Sequence, residues 1–342
     1  MAIAFEDRAV ADPPLRIPFR VERLELEPVA AGARPSLSVA VAVGEHGEGG
    51  RLSLEAEVGP LEAEEPIDQH PFRARLELRS VNPAPFVPYL PSRLDAHRLE
   101  GMLEGRIAVE GRARGDLTAD LALSLVEGGA HLAGVGLSSP RYEGRVRRTD
   151  GSFRVEEARL QAPLVEFGEH RLRGVRAAFG FAEGTVELES LELDSLSGSW
   201  RPVGTATPGE GRAADLELHV QRTGPVALRG RLRLPFGTGE SGGRRLDVEL
   251  PEVEVRDAEV EVVDRARPAL PPARLRVDRL RLRDLAEGEV ASCSLAARLG
   301  QGGRAGSLSV DGELGPLAWG RPLAELPFSL QLAVGEMDPK WV

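Results

Sequence analysis

The sequence predicts an all-β chain: a long antiparallel sheet with one short proline-rich helix, built from an internal repeat. Three observations predict it. Apolar residues alternate with polar ones over most of the 342 residues, which places them on one face of a strand. Gly- and Asp-rich turn signals recur about every ten residues, as in hairpins and meanders. Separated blocks of sequence return at one shared offset, the mark of repetition.

The strands read in order. Leu37, Val39, Val41 and Val43 are spaced by Ser38, Ala40 and Ala42. Leu52, Leu54, Ala56 and Val58 follow after the turn Gly44 to Gly50, then Ala74, Leu76 and Leu78 between charged neighbours. Val81-Asn-Pro-Ala-Pro-Phe-Val-Pro-Tyr-Leu-Pro91 breaks the pattern. Four prolines exclude a central strand, so a short helix over about residues 82–92, carrying Phe86, Val87, Tyr89 and Leu90 on one side, is expected to plug against the apolar face. Leu99 to Gly111 restarts the strands, and Leu117, Ala119, Leu121, Leu123 and Leu125 continue them. Val186 and Leu188 are in phase but Leu191 and Leu193 are not, which predicts a bulge at Glu189-Ser190. Leu216, Leu218 and Val220 form another strand, as do Val226, Leu228, Leu232 and Leu234, and Leu246, Val248 and Leu250. Parallel α/β strands would be apolar on both faces, and these are not.

The repeat is explicit. Arg51 to Leu61 reads again as Ser307 to Leu317, Pro71 to Leu78 as Pro327 to Val334, and Val21 to Leu26 as Val277 to Leu282, all 256 residues apart. Asp7-Arg8 matches Asp264-Arg265, one residue off that register. The expected organisation is a first unit over residues 1–250 and a partial second unit over 251–342 continuing the same sheet. The second copy stops near Asp338-Pro339, where the first reaches Asn82-Pro83, and this suggests a piece of a longer protein.

Bulk properties narrow the function. The formal net charge of −11 argues against a nucleic-acid partner, which needs a basic surface. Lys340 is the one lysine beside many arginines; a GC-rich genome accounts for that bias. Cys293 is the single cysteine, so neither an internal disulfide nor a cysteine metal cluster can form. A reducing cytosol and a cysteine-poor periplasmic protein both fit. No stretch approaches the ~20 apolar residues of a membrane helix, and Met1 to Asp7 lacks the features of a signal peptide.

A search for chemistry returns no catalytic constellation. His46, His70, His97, His131, His170 and His219 show no spacing that would gather metal ligands and read as isolated surface or loop residues. Cys293 lies in an expected strand as a buried, inert thiol rather than a nucleophile. Gly237-Thr-Gly-Glu-Ser-Gly242 matches GxGxxG, but that motif needs a following helix and a strand pattern follows, so a hairpin loop is expected. The many Asp and Glu residues are spread along polar strand faces, where solvation explains them better than a glycosidase pair. No catalytic residue, cofactor or metal is expected.

Several of these segments together resemble the AsmA superfamily of bacterial envelope proteins, in particular its AsmA-like domain of unknown function. They are Ile3 to Asp7 with Pro13-Pro14 and Val21 to Leu26; Pro71-Phe72, Leu76 to Leu78 and Pro88 to Pro91; Leu99 to Gly101 and Gly105 to Gly111; and Val255 to Asp264 as the start of a next unit. The resemblance covers nearly the whole chain and rests on pattern. It implies a sheet curled into a β-groove, or taco, like that of bridge-type lipid transporters. It also implies a periplasmic or cell-envelope location, phospholipid acyl chains as cargo and inner- and outer-membrane proteins as partners. The family's N-terminal membrane anchor has no counterpart in this sequence.

The function expected on these grounds is a non-enzymatic envelope module. Its apolar groove would hold lipid tails in phospholipid transport between inner and outer membrane or in envelope biogenesis. The groove candidates are Val39, Val41, Leu52, Leu54, Leu76, Leu78, Phe86, Tyr89, Leu121, Leu123, Leu228 and Leu232. The alternative is a structural or adhesive β-repeat protein with a closed core and no lipid cargo. An outer-membrane barrel would need aromatic girdles, and the chain has two tyrosines and three tryptophans.

Overall fold

The computed structural model describes residues 2–7, 15–27, 30, 32–44, 48–62, 65–85, 98–132, 135–182, 185–200, 216–235, 247–264, 272–299, 306–317 and 326–335. Among the described residues the structure is nearly all-β, in one large antiparallel sheet. The first strands are β1 (Ala2–Asp7), β2 (Leu15–Leu26), β3 (Ser36–Val43), β4 (Arg51–Val58), β5 (Pro71–Val81), β6 (Arg98–Arg112) and β7 (Leu117–Leu132). Next come β8 (Val135–Ser138), β9 (Arg141–Thr149), β10 (Ser152–Phe167), β11 (His170–Ala182), β12 (Thr185–Leu193), β13 (Ser195–Trp200) and β14 (Leu216–Arg222). The last are β15 (Val226–Pro235), β16 (Asp247–Asp264), β17 (Ala273–Ala286), β18 (Ala291–Leu299), β19 (Gly306–Leu314) and β20 (Phe328–Gly335). A three-residue 3₁₀ turn, Ile67–Gln69, precedes β5. Most of the expected proline-rich helix, residues 86–92, lies outside the described residues. At its start Ala84 N–H donates to Asn82 Oδ1 at 3.0 Å.

The strands form two compact units, Met1–Pro163 with Phe179–Glu183 and Leu164–Ala178 with Gly184–Val342. In the first, β1 to β7 form a meander; β9 then joins β7, β10 joins β9, and β8 pairs with the far end of β7. In the second, β16 is long enough to hold two partners on one edge, β15 along Asp247 to Val255 and β14 along Glu259 to Asp264. Its other edge starts the meander β16–β17–β18–β19–β20.

This last meander repeats the first. Leu52↔Leu78, Leu54↔Leu76 and Val58↔Phe72 between β4 and β5 return as Leu308↔Val334, Val310↔Leu332 and Leu314↔Phe328 between β19 and β20. Val41↔Leu52 and Val39↔Leu54 return as Ala297↔Leu308 and Leu295↔Val310. The register shift in β2 between Val21 and Arg23 returns in β17 between Val277 and Arg279. Loops repeat too: Gly59 N–H to Pro71 O (2.6 Å) corresponds to Gly315 N–H to Pro327 O (2.9 Å), and Gly32 N–H to Leu61 O (2.8 Å) to Gly288 N–H to Leu317 O (2.8 Å). The one-residue offset seen at Asp7 is structural as well, since Ile3↔Phe19 matches Val260↔Leu275. Sequence identity between the copies is partial, so the shared apolar positions and turns suffice to set the register.

Bulges keep the apolar residues on one face. With a period of two, a one-residue slip would turn all later side chains over. At four places where the apolar series changes parity, the ladder shifts: between Val21 and Leu24 in β2, Leu78 and Val81 in β5, Val155 and Ala158 in β10, and Val277 and Leu280 in β17. The bulge expected at Glu189-Ser190 is present, between Leu188 and Ser190. Two of these sites hold a residue in the left-handed region, Ser80 (φ 49°) and Glu157 (φ 53°); Asp257 (φ 51°) does the same in β16, between Val255 and Ala258. At the β6 bulge Gly101 has φ 99°, and a Cβ on the facing Gly128 would overlap the carbonyl oxygen of Glu100.

Packing is lateral. One cluster gathers Ala258, Val277 and Ala297 with Val255, Val260, Leu275, Leu280, Leu295 and Leu308, all neighbours across β16 to β19. A second, Ala291, Leu317 and Leu326 with Leu285 and Leu314, closes the strand ends. Among the described residues the buried hydrophobics are mainly alanine and valine, and Val81 is the largest side chain buried below 2% exposure.

Asp257 gives a direct test. At φ 51° a β-branched side chain is strained, so Asp257→Val is expected to cost about 1–2 kcal/mol. Asp257→Gly is expected to stay within about 0.5 kcal/mol of the parent, as a substitution the backbone accommodates. Denaturant midpoints of the three proteins check this.

Candidate functional site

The alternating aliphatics assemble into rows that run across the strands, because directly paired residues share a face of the sheet. In the first unit one row is Val39–Leu54–Leu76–Ile107–Leu121, and its neighbour is Val41–Leu52–Leu78–Gly105–Leu123–Tyr142. In the second unit the rows include Leu191–Leu228–Val253–Leu282–Cys293–Gly312–Leu330 and Leu193–Val226–Val255–Leu280–Leu295–Val310–Leu332.

Eight candidates, Val39, Val41, Leu52, Leu54, Leu76, Leu78, Leu121 and Leu123, therefore stand together in two adjacent rows. Leu228 lies in the second unit's face. Leu232 pairs with Leu188 and Val248 there, though its side chain is outside the description. Phe86 and Tyr89 fall outside the described residues. Ile107, Val253, Leu280, Leu282 and Val310 belong to the same rows and were not among the candidates. The signal for them was the same alternation, obscured in β16 and β17 by the parity changes at the bulges.

Most row residues are half-buried, Leu78, Leu193 and Val226 are buried, and Leu24 and Leu26 are 58% and 66% exposed. The rows carry no charge. Arg148 stands at a margin of the first unit's face, opposite Leu117, and its guanidinium is engaged. Nε donates to Gly115 O (3.2 Å), and Nη2 donates to Arg112 O (3.1 Å), Ala113 O (2.6 Å) and Gly115 O (2.9 Å), holding the β6–β7 turn.

Charges occupy the opposite face as ion pairs, between strands and along one strand. Arg145 Nε reaches Asp120 Oδ1 at 2.7 Å, and Arg298 holds Asp278. Glu254 collects Arg256 (2.9 Å), Arg279 (2.6 Å) and Arg281 (3.4 Å). Hydrogen bonds from Arg256 hold the Glu254 carboxyl below its usual range against the opposing effect of burial, with Arg279 adding to the depression. Three surface depressions, of about 630, 600 and 510 Å³, open among residues of this kind: one around Arg23, Glu55, Glu57 and Arg75, one around Arg281, Asp311 and Glu313, and one around Arg34, Arg73 and Asp116.

The remaining motifs add no reaction centre. Cys293 is on β18 as expected but only half-buried; burial and then the Asp311 charge push its thiol upward, which disfavours the nucleophilic thiolate. His70 departs from the surface reading. It is 2% exposed, with Nε2 3.2 Å from Glu65 O and Nδ1 3.6 Å from Glu65 Oε2, and it occupies the place that Leu326, 5% exposed, takes in the second copy. His219 Nδ1 lies 2.8 Å from Ser199 Oγ, its directly paired neighbour. Among the described residues no group of His, Cys, Asp or Glu is placed to hold a metal ion. Residues 237–242, the GxGxxG match, lie outside the description.

No protein-family model matches the chain, and neither a curated protein nor a solved structure matches it.

The charged face predicts a pH dependence. A carboxyl depressed in the folded state contributes stability above its unfolded pKa and loses it as pH falls through the folded value. Glu254 therefore contributes at pH 7 and stops contributing below its usual carboxylate range. Glu254→Gln is expected to narrow the difference between the denaturant midpoints at pH 7 and pH 3.

Proposed function

We propose that this chain is a non-enzymatic module of the cell envelope whose apolar face holds lipid acyl chains. On this reading it serves phospholipid movement between inner and outer membrane or the biogenesis of the envelope. The observation that carries the reading is the set of charge-free aliphatic rows, continuous across neighbouring strands within each unit and left half-exposed. Each Leu or Val that stays wet forgoes roughly 1.5–3 kcal/mol, so a face of this kind favours an apolar occupant. Acyl chains suit it, because its side chains offer no polar group that would fix a head group. Uniform rows also let a chain shift from one pair of strands to the next without a chemical step. The resemblance of Ile3 to Asp7, Pro71 to Pro91 and Leu99 to Gly111 to the AsmA superfamily points the same way and supplies the envelope location.

The test combines native mass spectrometry of protein purified from membranes in mild detergent with uptake of a fluorescent fatty acid by the purified chain. Co-purifying phospholipid and saturable uptake are expected. Leu24→Asp, at an exposed position beside Val39, is expected to weaken uptake at least tenfold while the far-UV spectrum stays that of a sheet. Arg75→Gln, on the other face, is expected to leave uptake unchanged. The absence of both bound lipid and uptake would sink the reading in favour of a closed-core structural or adhesive repeat.

A further inference from the structure

We infer that the outer edge of β20 accepts an added antiparallel strand of the β6 type. The inference rests on the two copies of the repeat. β20 corresponds to β5 at every pairing with the preceding strand. In the first copy the other edge of β5 is taken by β6, through Phe72↔Gly111, Ala74↔Val109, Leu76↔Ile107 and Leu78↔Gly105. Among the described residues β20 pairs with β19 alone.

The side chains record the difference. Phe72, Ala74 and Leu76 are half-buried and Leu78 is 8% exposed. Their counterparts Phe328, Leu330, Leu332 and Val334 are 66%, 56%, 66% and 49% exposed. Folded proteins guard free edges with charge, proline or a bulge. The segment Phe328-Ser-Leu-Gln-Leu-Ala-Val-Gly335 has no charged residue and no proline, and its ladder with β19 runs without a register shift. Adding a strand to such an edge is a standard mode of peptide recognition, in which backbone bonds give affinity and alternate side chains give specificity.

The first copy also defines the guest. Gly105-Arg-Ile-Ala-Val-Glu-Gly111 sets glycines opposite the large Leu78 and Phe72 and aliphatics opposite Leu76 and Ala74. By the same register the guest for β20 carries Gly opposite Val334 and Phe328, and Ile or Val opposite Leu332 and Leu330. Positions facing Ser329, Gln331 and Ala333 are not selected by charge.

The probe is a fluorescent peptide with the sequence of residues 98–112, titrated into the full chain and read by anisotropy. Saturable binding is expected. It should weaken at least tenfold with a peptide bearing Ile107→Asp and Val109→Asp, and also with a chain bearing Leu330→Lys and Leu332→Lys, two exposed positions, while the far-UV spectrum of that chain stays that of a sheet. A Leu332→Cys chain on a Cys293→Ser background should form a disulfide with an Ile107→Cys peptide in preference to an Ala108→Cys peptide. Absence of saturable binding, binding insensitive to the two lysines, or cross-linking without register preference overturns the inference. So does concentration-dependent dimerisation of the chain that the lysines abolish and the peptide does not inhibit, which would make the edge a contact between two copies.

Discussion

The structure depends on keeping one side of the sheet within each unit free of charge over many consecutive strands. A two-residue period makes this demanding, because any inserted residue exchanges the faces of everything that follows. The chain meets the demand with bulges: Val21 to Leu24, Val155 to Ala158, Leu188 to Leu191 and Val277 to Leu280 each cross a shifted register and resume on the same side. Left-handed backbone at Ser80, Glu157 and Asp257 is the conformational cost of that continuity. Acidic and polar residues tolerate it at a strand kink better than the β-branched residues around them.

The same constraint explains the division of chemistry between faces. Arginine and glutamate compose the exposed side as ladders of neutralising pairs, such as Glu254 with Arg256, Arg279 and Arg281. Exposed pairs of this kind contribute little individually. Their main consequence is exclusion, since a charge on the aliphatic side would go unpaired. Arg148 shows the rule at its margin, with its guanidinium spent on three turn carbonyls.

Repetition carries these features across 256 residues with little identity to preserve them. Glycine and proline at the turns and aliphatics at alternate positions are enough. His70 and Leu326 show how loosely other positions are held: a buried imidazole bonded to its own loop and a buried leucine fill equivalent places. The meaningful asymmetry is at the edge. Among the described residues β5 is paired on both edges and β20 on one, so identical ladder geometry yields half-buried side chains in one copy and exposed ones in the other.

The sequence by itself determined the all-β class, the alternating faces, the offset between the copies and the bulge at Glu189-Ser190, because each is a local consequence of side-chain period and turn chemistry. It also marked Val39, Leu54, Leu76 and Leu121 as members of one face. Only the tertiary structure decided which strands neighbour which: that β7 takes β9, that β16 holds β14 and β15 along one edge, and that Leu280 and Leu282 join rows with Val255 and Val253. Pairing partners depend on contacts far apart in the chain, and Leu and Val at one parity fit many alternatives equally well. Burial was undecided for the same reason, since alternation says which face a residue occupies and not what lies against it.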